Sequence, residues 1–415
     1  MTQSCDCIVL GAGMVGVSTA VHLQKRGKSV VLVDRKPAGE GTSFGNAGLI
    51  QAEAYIPYML PKQPLLLAKM LANLRPEVHV HYRALLALSP WLAKYMWNSR
   101  NSAVERAIEA FSPLTQFAVS SHDELAEEAG ATALIRRTGY IRVFHDTAAL
   151  DADEADFKML AERFGVKYEV INPDKLAEME PHLSGDLVGA LWMREPTSVS
   201  DPGGLTKAYA RLFTSLGGQF LTADATTLER KGASWRVQTV NGPITAENAI
   251  VALGPWSAEI LKAQGVTVPL AVKRGYHMHY STVGNATLNR PVIDVENGYF
   301  IGQMQGGIRM TTGAEFAFRD AKPTPKQLEM LEPIARSIFP LDERKDDMPW
   351  MGARPCLSDM IPAIGPVPRN RGLWANFGHQ HWGLTLGPIT GRLLAEMITG
   401  EAPTVDPAPY AVSRF

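Results

Sequence analysis

The sequence predicts a mixed α/β fold with more than one domain, on three observations. The chain opens with an apolar run, a glycine cluster, a helical stretch and a second apolar run that ends in an acid. A second glycine-rich segment precedes a helical stretch close to the other end. The length of 415 residues exceeds what one simple core supports.

The opening is the most informative element. Cys5 to Leu10 reads as a short buried strand, Gly11-Ala12-Gly13-Met14-Val15-Gly16 as a turn, and the residues up to about Arg26 as a helix. Gly27 stands where a helix ends, and Ser29 to Val33 forms a second strand closed by Asp34. Each part has a physical task in a Rossmann-like dinucleotide fold. Gly11 makes the tight turn, Gly13 lets backbone approach a pyrophosphate, and Gly16 brings helix and strand together. The helix N-terminus presents unpaired N–H groups and the positive end of its dipole to phosphate. Asp34, followed by Arg35, stands where a carboxylate accepts from an adenosine ribose, which disfavours a 2′-phosphate and hence NADP.

Composition narrows the class. Hydrophobic residues make up 46% and charged residues 20%, as in a globular enzyme, and the formal net charge is -1. No basic cluster interleaved with aromatics suggests a nucleic-acid partner. Three cysteines, Cys5, Cys7 and Cys356, build neither a disulfide framework nor a zinc site, so a reducing, cytoplasmic compartment is expected. The N-terminus lacks the basic region and the cleavage site of a signal peptide, so none is expected. Tyr55 to Trp97 is rich in Leu, Met, Trp and Tyr. It is expected to form buried helices of a second domain, with a membrane surface as the other reading.

Two further segments point from NAD toward FAD. Thr42-Ser43-Phe44-Gly45-Asn46-Ala47-Gly48-Leu49 is a loop of small residues, hydroxyls and an amide, able to approach a flat polar ring system. Short strands at Gln219 to Ala223, Ser234 to Val240 and Pro243 to Thr245 lead to a buried strand at Ala249 and a turn at Gly254. Near the end, Gly378-His379-Gln380-His381-Trp382-Gly383-Leu384-Thr385 approaches a helix expected from about Ile389 to Thr399, with Pro388 in its first turn. That helix N-terminus suits the negative charge a reduced flavin develops near N1.

These segments together resemble the amino-acid oxidoreductase family of D-amino acid oxidase, glycine oxidase, sarcosine oxidase and bacterial D-amino acid dehydrogenase. The resemblance spans nearly the whole chain. It rests on the opening motif, the Thr42–Gly48 loop, Ala252-Leu253-Gly254-Pro255-Trp256-Ser257, Gly352-Ala353-Arg354-Pro355, and Gly378-His379 with Gly387-Pro388. The Ser-Phe-Gly-Asn-Ala-Gly stretch is closest to the dehydrogenases. The resemblance implies an FAD-binding domain (1–60, 195–262, 349–415) interleaved with a substrate domain on a large antiparallel sheet (61–194, 263–348). It implies non-covalent FAD, and places Ala225, Ala252, Gly254, Trp256 and Gly352 at the cofactor beside the loops above.

Oxidation of an amino acid at its α-carbon needs a held carboxylate, a neutral amine and an α-hydrogen facing flavin N5. By resemblance Arg354 grips the carboxylate, as a guanidinium does through two parallel hydrogen bonds. Tyr299 is a candidate donor to the same carboxylate, with Tyr276 as an alternative. His381 stands where glycine oxidase has an arginine, and could tune amine protonation or stabilise reduced-flavin charge. The expected activity is dehydrogenation of a small D-amino acid or a cyclic imino acid such as D-proline or hydroxyproline. Electrons would pass to a quinone or respiratory-chain acceptor, with contact at the inner face of a membrane. An oxygen-using glycine or sarcosine oxidase and a non-catalytic or RNA-modification flavoprotein are the competing readings.

Overall fold

The protein was analysed as a computed structural model that describes residues 3–61 and 63–415. Its first sheet has eight strands and is parallel at its centre. The first strand, Gln3–Leu10, lies between Val30–Asp34 and Gly242–Val251, all running the same way. Gln219–Thr222 extends the sheet beyond Val30–Asp34, and Leu373–Phe377 pairs in parallel with Gly242–Val251. Covered on both faces, these strands are continuous apolar runs such as Val30-Val31-Leu32-Val33, not alternating ones. The topology brings the carboxyl ends Leu10 and Val251 side by side, so the Gly11 and Ala252 loops open into one crevice.

The second sheet has eleven strands and is mostly antiparallel. Its long strand Leu270–Thr282 pairs with Gly307–Thr311 on one side and with Trp350–Leu357 on the other. Trp350–Leu357, grouped by sequence with the dinucleotide-binding part, is therefore hydrogen-bonded into the large sheet and presents Arg354 from it. A three-stranded sheet of Leu49–Ile50, Thr197–Val199 and Ile135–Arg136 lies apart from both.

Three local expectations change. Gly242–Val251 is one strand of ten residues rather than two pieces, because parallel pairing to Gln3–Leu10 runs through it. The last long helix is Gly383–Thr399, so Pro388 is internal to it. Proline cannot donate to the carbonyl four residues back. That carbonyl, Leu384, is instead bound by the buried His122 Nε2 at 2.7 Å. The helices Pro64–Leu71 and Tyr82–Asn98 are not buried. The first has no buried residue, and the second buries only Ala84, Trp91 and Tyr95. Their apolar residues number more than one core-facing stripe can hold, and the surplus faces outward.

Candidate active site

A cavity of about 1330 Å³ runs from the Gly11 loop to the large sheet. At its dinucleotide end the backbone is drawn in tightly. Gly11 has φ +108°, and a Cβ there would lie 2.5 Å from the Ala252 carbonyl oxygen. A Cβ on Gly16 would lie 1.8 Å from the Gly11 carbonyl oxygen. Asp34 accepts from the Ala12 N–H at 2.8 Å and the Lys36 N–H at 3.0 Å, so it braces the glycine turn from below. Ser43 Oγ accepts from the Met14 N–H at 2.9 Å and ties the second loop to the first.

Of the residues assigned to a cofactor by sequence, most line this cavity: Gly11 to Val15, Asp34, Arg35, Thr42, Ser43, Asn46, Ala47, Leu49, Ala225, Ala252, Gly254, Trp256, Gly352, His379 to His381, Gly383 and Leu384. Gly16, Gly48, Trp382 and Thr385 do not. Gly16 serves the close approach just described. Trp382 Nε1 donates to Gln51 Oε1 at 3.0 Å, and Thr385 Oγ1 donates to the Leu49 carbonyl at 3.1 Å. Those side chains lock the C-terminal loop to the Thr42–Leu49 loop from behind.

The cavity fits a flavin dinucleotide. Both helices that begin there, Met14–Lys25 and Gly383–Thr399, lack a capping side chain on their N-cap residue; Ser43 takes the Met14 N–H, and the first-turn N–H groups beside it suit anionic groups. Gln380 has φ +55°, and neither its amide oxygen nor its amide nitrogen has a partner among the described residues. Buried amide groups without partners are rare and call for an occupant. His379 Nε2 is within 3.0 Å of Thr390 Oγ1, and burial pushes its ring down to about 3, so it stays neutral. Burial also raises the Cys5, Cys7 and Cys356 thiols, to about 11 and about 12 for the first two. They are therefore thiols rather than thiolate nucleophiles or metal ligands.

At the other end, Arg354 and Lys273 on the large sheet meet His381 and Tyr58 from two loops. Arg354 is half-buried, and its guanidinium donates to the carbonyls of Gly313 at 2.6 Å, Thr312 at 3.1 Å and Arg274 at 3.4 Å. These carbonyls fix the plane of the group without neutralising it. It has no carboxylate partner among the described residues. His381 lies in the field of Arg354 and Lys273; burial first, then those two cations, hold its ring well below the ordinary range. It is a neutral imidazole, and its Nδ1 has no partner among the described residues. The Tyr58 ring lies 4.6 Å from the His381 ring.

The two candidate tyrosines differ. Tyr299 is buried with its hydroxyl near the Asp294 carboxylate, and desolvation followed by that charge disfavours the phenolate. The hydroxyl makes no well-formed hydrogen bond among the described residues. Tyr276 lines the cavity, but its hydroxyl donates to Glu315 Oε2 at 2.8 Å and accepts from the Thr324 N–H at 2.8 Å and Arg274 at 3.1 Å. It is one member of the buried Arg274–Glu315 pair's network and has little left to offer a substrate. Sequence reading missed Tyr58 and Lys273. Lys273 carried a signal, a charged residue inside the otherwise apolar start of a buried strand.

A parallel-sheet crevice with a glycine turn, joined to a large antiparallel sheet by one cavity, defines a class, the flavin-dependent oxidoreductases. The chain belongs to the FAD dependent oxidoreductase family called DAO, which it matches over residues 6–397. It is 30% identical to a D-amino-acid oxidase of Bradyrhizobium diazoefficiens, with all of both chains covered. Among solved structures, glycine oxidase from Geobacillus kaustophilus superposes with a TM-score of 0.74 at 23% identity over all of both chains. L-proline dehydrogenase from P. horikoshii superposes with a TM-score of 0.76 at 19% identity, covering all of this chain and 98% of that one. As in that family, FAD is bound non-covalently.

Asp34→Ala removes the brace on the Ala12 N–H and the Lys36 N–H at the dinucleotide end of the cavity. The variant is expected to lose FAD on dilution or gel filtration where the parent retains it, read from the flavin-to-protein absorbance ratio. Retention equal to the parent's would show that Asp34 does not support the cofactor.

Proposed function

We propose that the protein dehydrogenates a small amino acid or cyclic imino acid at its α-carbon and passes the electrons to a quinone-like acceptor. The observation that carries the reading is Arg354, a half-buried guanidinium held by backbone carbonyls, unpaired by any described carboxylate and lining the cavity of a flavin fold. Bound FAD supplies the two-electron acceptor for the hydride leaving the α-carbon.

The chain's own residues do the rest. Arg354 binds the substrate carboxylate and sets the angle of the α-carbon, since small misplacements lose much of the rate. The cations at Arg354 and Lys273 disfavour an ammonium group beside them, so the amine is held in its neutral form. His381 offers its unpartnered Nδ1 as acceptor for an amine N–H. Tyr299 is a second donor to the carboxylate. The Trp382 and Thr385 ties keep the floor of the cavity closed to water.

A separate observation favours a membrane-borne acceptor over oxygen. Leu65, Leu74, Leu86 and Trp97 are 70%, 69%, 84% and 63% exposed. They share their stretch with the exposed bases Lys69, Arg83, Lys94 and Arg100. Between Glu53 and Glu105 the only acid is Glu77. Exposed apolar residues with surplus basic charge suit the surface of an anionic bilayer. No helix among the described residues is long and apolar enough to cross a membrane. The proposed place is therefore the inner face of a membrane, reached from the cytoplasm. Leu67, Met70, Leu85 and Met96 of the same helices line the cavity, so its apolar side lies beside this surface.

The test is turnover of a D-, L-, cyclic and N-methyl amino-acid panel with a soluble quinone, against oxygen alone. The expected result is a 2-oxo acid or cyclic imine, fast quinone reduction and little peroxide. Stoichiometric peroxide in air at the quinone-supported rate would make it an oxidase. Sedimentation with anionic but not neutral vesicles, weakened in Leu86→Asp, is expected in parallel.

A further inference from the structure

We propose that the substrate carries a second acidic group, held by Lys273 beside the carboxylate on Arg354. This rests on the amino-acid reading above and names the class of amino acid.

Lys273 and Arg354 are directly opposed partners on adjacent antiparallel strands. Opposed residues project from the same face of a sheet with their Cβ atoms about 5 Å apart, so the two cations are neighbours. Both line the cavity. Lys273 is 3% exposed, and its Nζ donates to Tyr95 Oη at 2.7 Å. An ammonium has three donors, and one is used here. The Tyr95 ring centre lies 4.1 Å from Nζ, with Trp91 and Phe316 at 5.9 and 5.8 Å. Ring faces steady a cation but do not neutralise it. Lys273 has no carboxylate partner among the described residues.

Two other enclosed cations are each paired with an acid. Arg274 is bound to Glu315, and Arg142 is held by both oxygens of Asp153. Arg309 spends its donors on His279 and the carbonyls of Phe44 and Asn46, and does not line the cavity. Burial of a charge without an anion is costly, and here a buried lysine stands beside a half-buried arginine with no acid for either among the described residues. A substrate with one carboxylate would answer Arg354 and leave Lys273 unanswered. An amino acid whose side chain or nitrogen substituent ends in a second carboxylate answers both. The depression of Lys273 to about 8, from burial first, agrees with an amine that gains by meeting an anion.

The test titrates the holoenzyme with succinate and with succinamate, neither oxidisable at an amine, following the flavin absorbance. Succinate is expected to bind roughly 10-fold or more tightly than succinamate, as a close, desolvated charge pair warrants. Lys273→Met should bring succinate down to the succinamate level and leave succinamate unchanged. Lys273→Arg should keep most of the preference. In turnover, aspartate or glutamate of one hand should exceed its amide counterpart by a similar factor. Equal binding of the two anions would overturn the proposal. So would a Lys273→Met variant that weakens both anions alike, the mark of a proton acceptor or a packing residue. Failure of the amino-acid reading looks different: neither anion perturbs the flavin, and no amino acid reduces it. If Lys273→Met does not fold, the comparison of the two anions on the parent protein still decides.

Discussion

Arg354→Met is expected to lower kcat/KM by roughly 30-fold to several thousand-fold, since truncating one partner of a buried charge pair costs ~2–5 kcal/mol. Both parameters should move. The carboxylate loses its anchor, which raises the apparent substrate constant, and the α-carbon loses its fixed angle, which lowers turnover. FAD content should stay near that of the parent, because the guanidinium sits on the large sheet and not on the dinucleotide loops. Stability should fall modestly, by about 1–3 kcal/mol, since the buried carbonyls of Thr312 and Gly313 lose their donors. Arg354→Lys should recover only part of the rate, because lysine keeps the charge and loses the planar fork. Near-normal kinetics in Arg354→Met would remove this arginine from the substrate site.

The second large effect is expected at Gly16. Its added Cβ would meet the Gly11 carbonyl oxygen at 1.8 Å and the Gly11 carbonyl carbon at 3.0 Å. Those are backbone atoms of the glycine turn at the dinucleotide end of the cavity, and they cannot yield like the end of a flexible side chain. Gly16→Ala should therefore give protein that is either insoluble or folded and nearly free of FAD. Gly27→Ala is the control. Gly27 has φ +76° but nothing within 4 Å of a Cβ, so its substitution should cost only ~1–2 kcal/mol and leave FAD bound. Full flavin content in Gly16→Ala would show that the turn tolerates rearrangement.

The parts legible in the sequence are those whose physics is local. The opening strand, glycine turn, helix and second strand were readable because each signal sits within a few residues of the structure it causes. The start of the last helix was misplaced because Pro388 was read as an N-terminal residue. What permits it inside the helix is His122, 266 positions earlier, bonding the freed Leu384 carbonyl, and no local pattern carries that. Tyr55 to Trp97 was misread as buried because apolar content alone does not say which side of a helix is covered. Lys273 gained meaning only from strand register, which set it opposite Arg354. Tyr276 changed for the same reason, since its commitment to Glu315 depends on which strands meet.

The central claim is that this flavin fold takes electrons from the α-carbon of an amino acid held by its carboxylate. Anaerobic mixing of the purified holoenzyme with a panel of amino acids tests it most directly, read as loss of the yellow flavin absorbance. The account predicts full bleaching by at least one amino acid, none by the corresponding 2-hydroxy acid, and a shift to far higher concentration in Arg354→Met. A flavin that no amino acid bleaches, or that the hydroxy acid bleaches as readily, would contradict it.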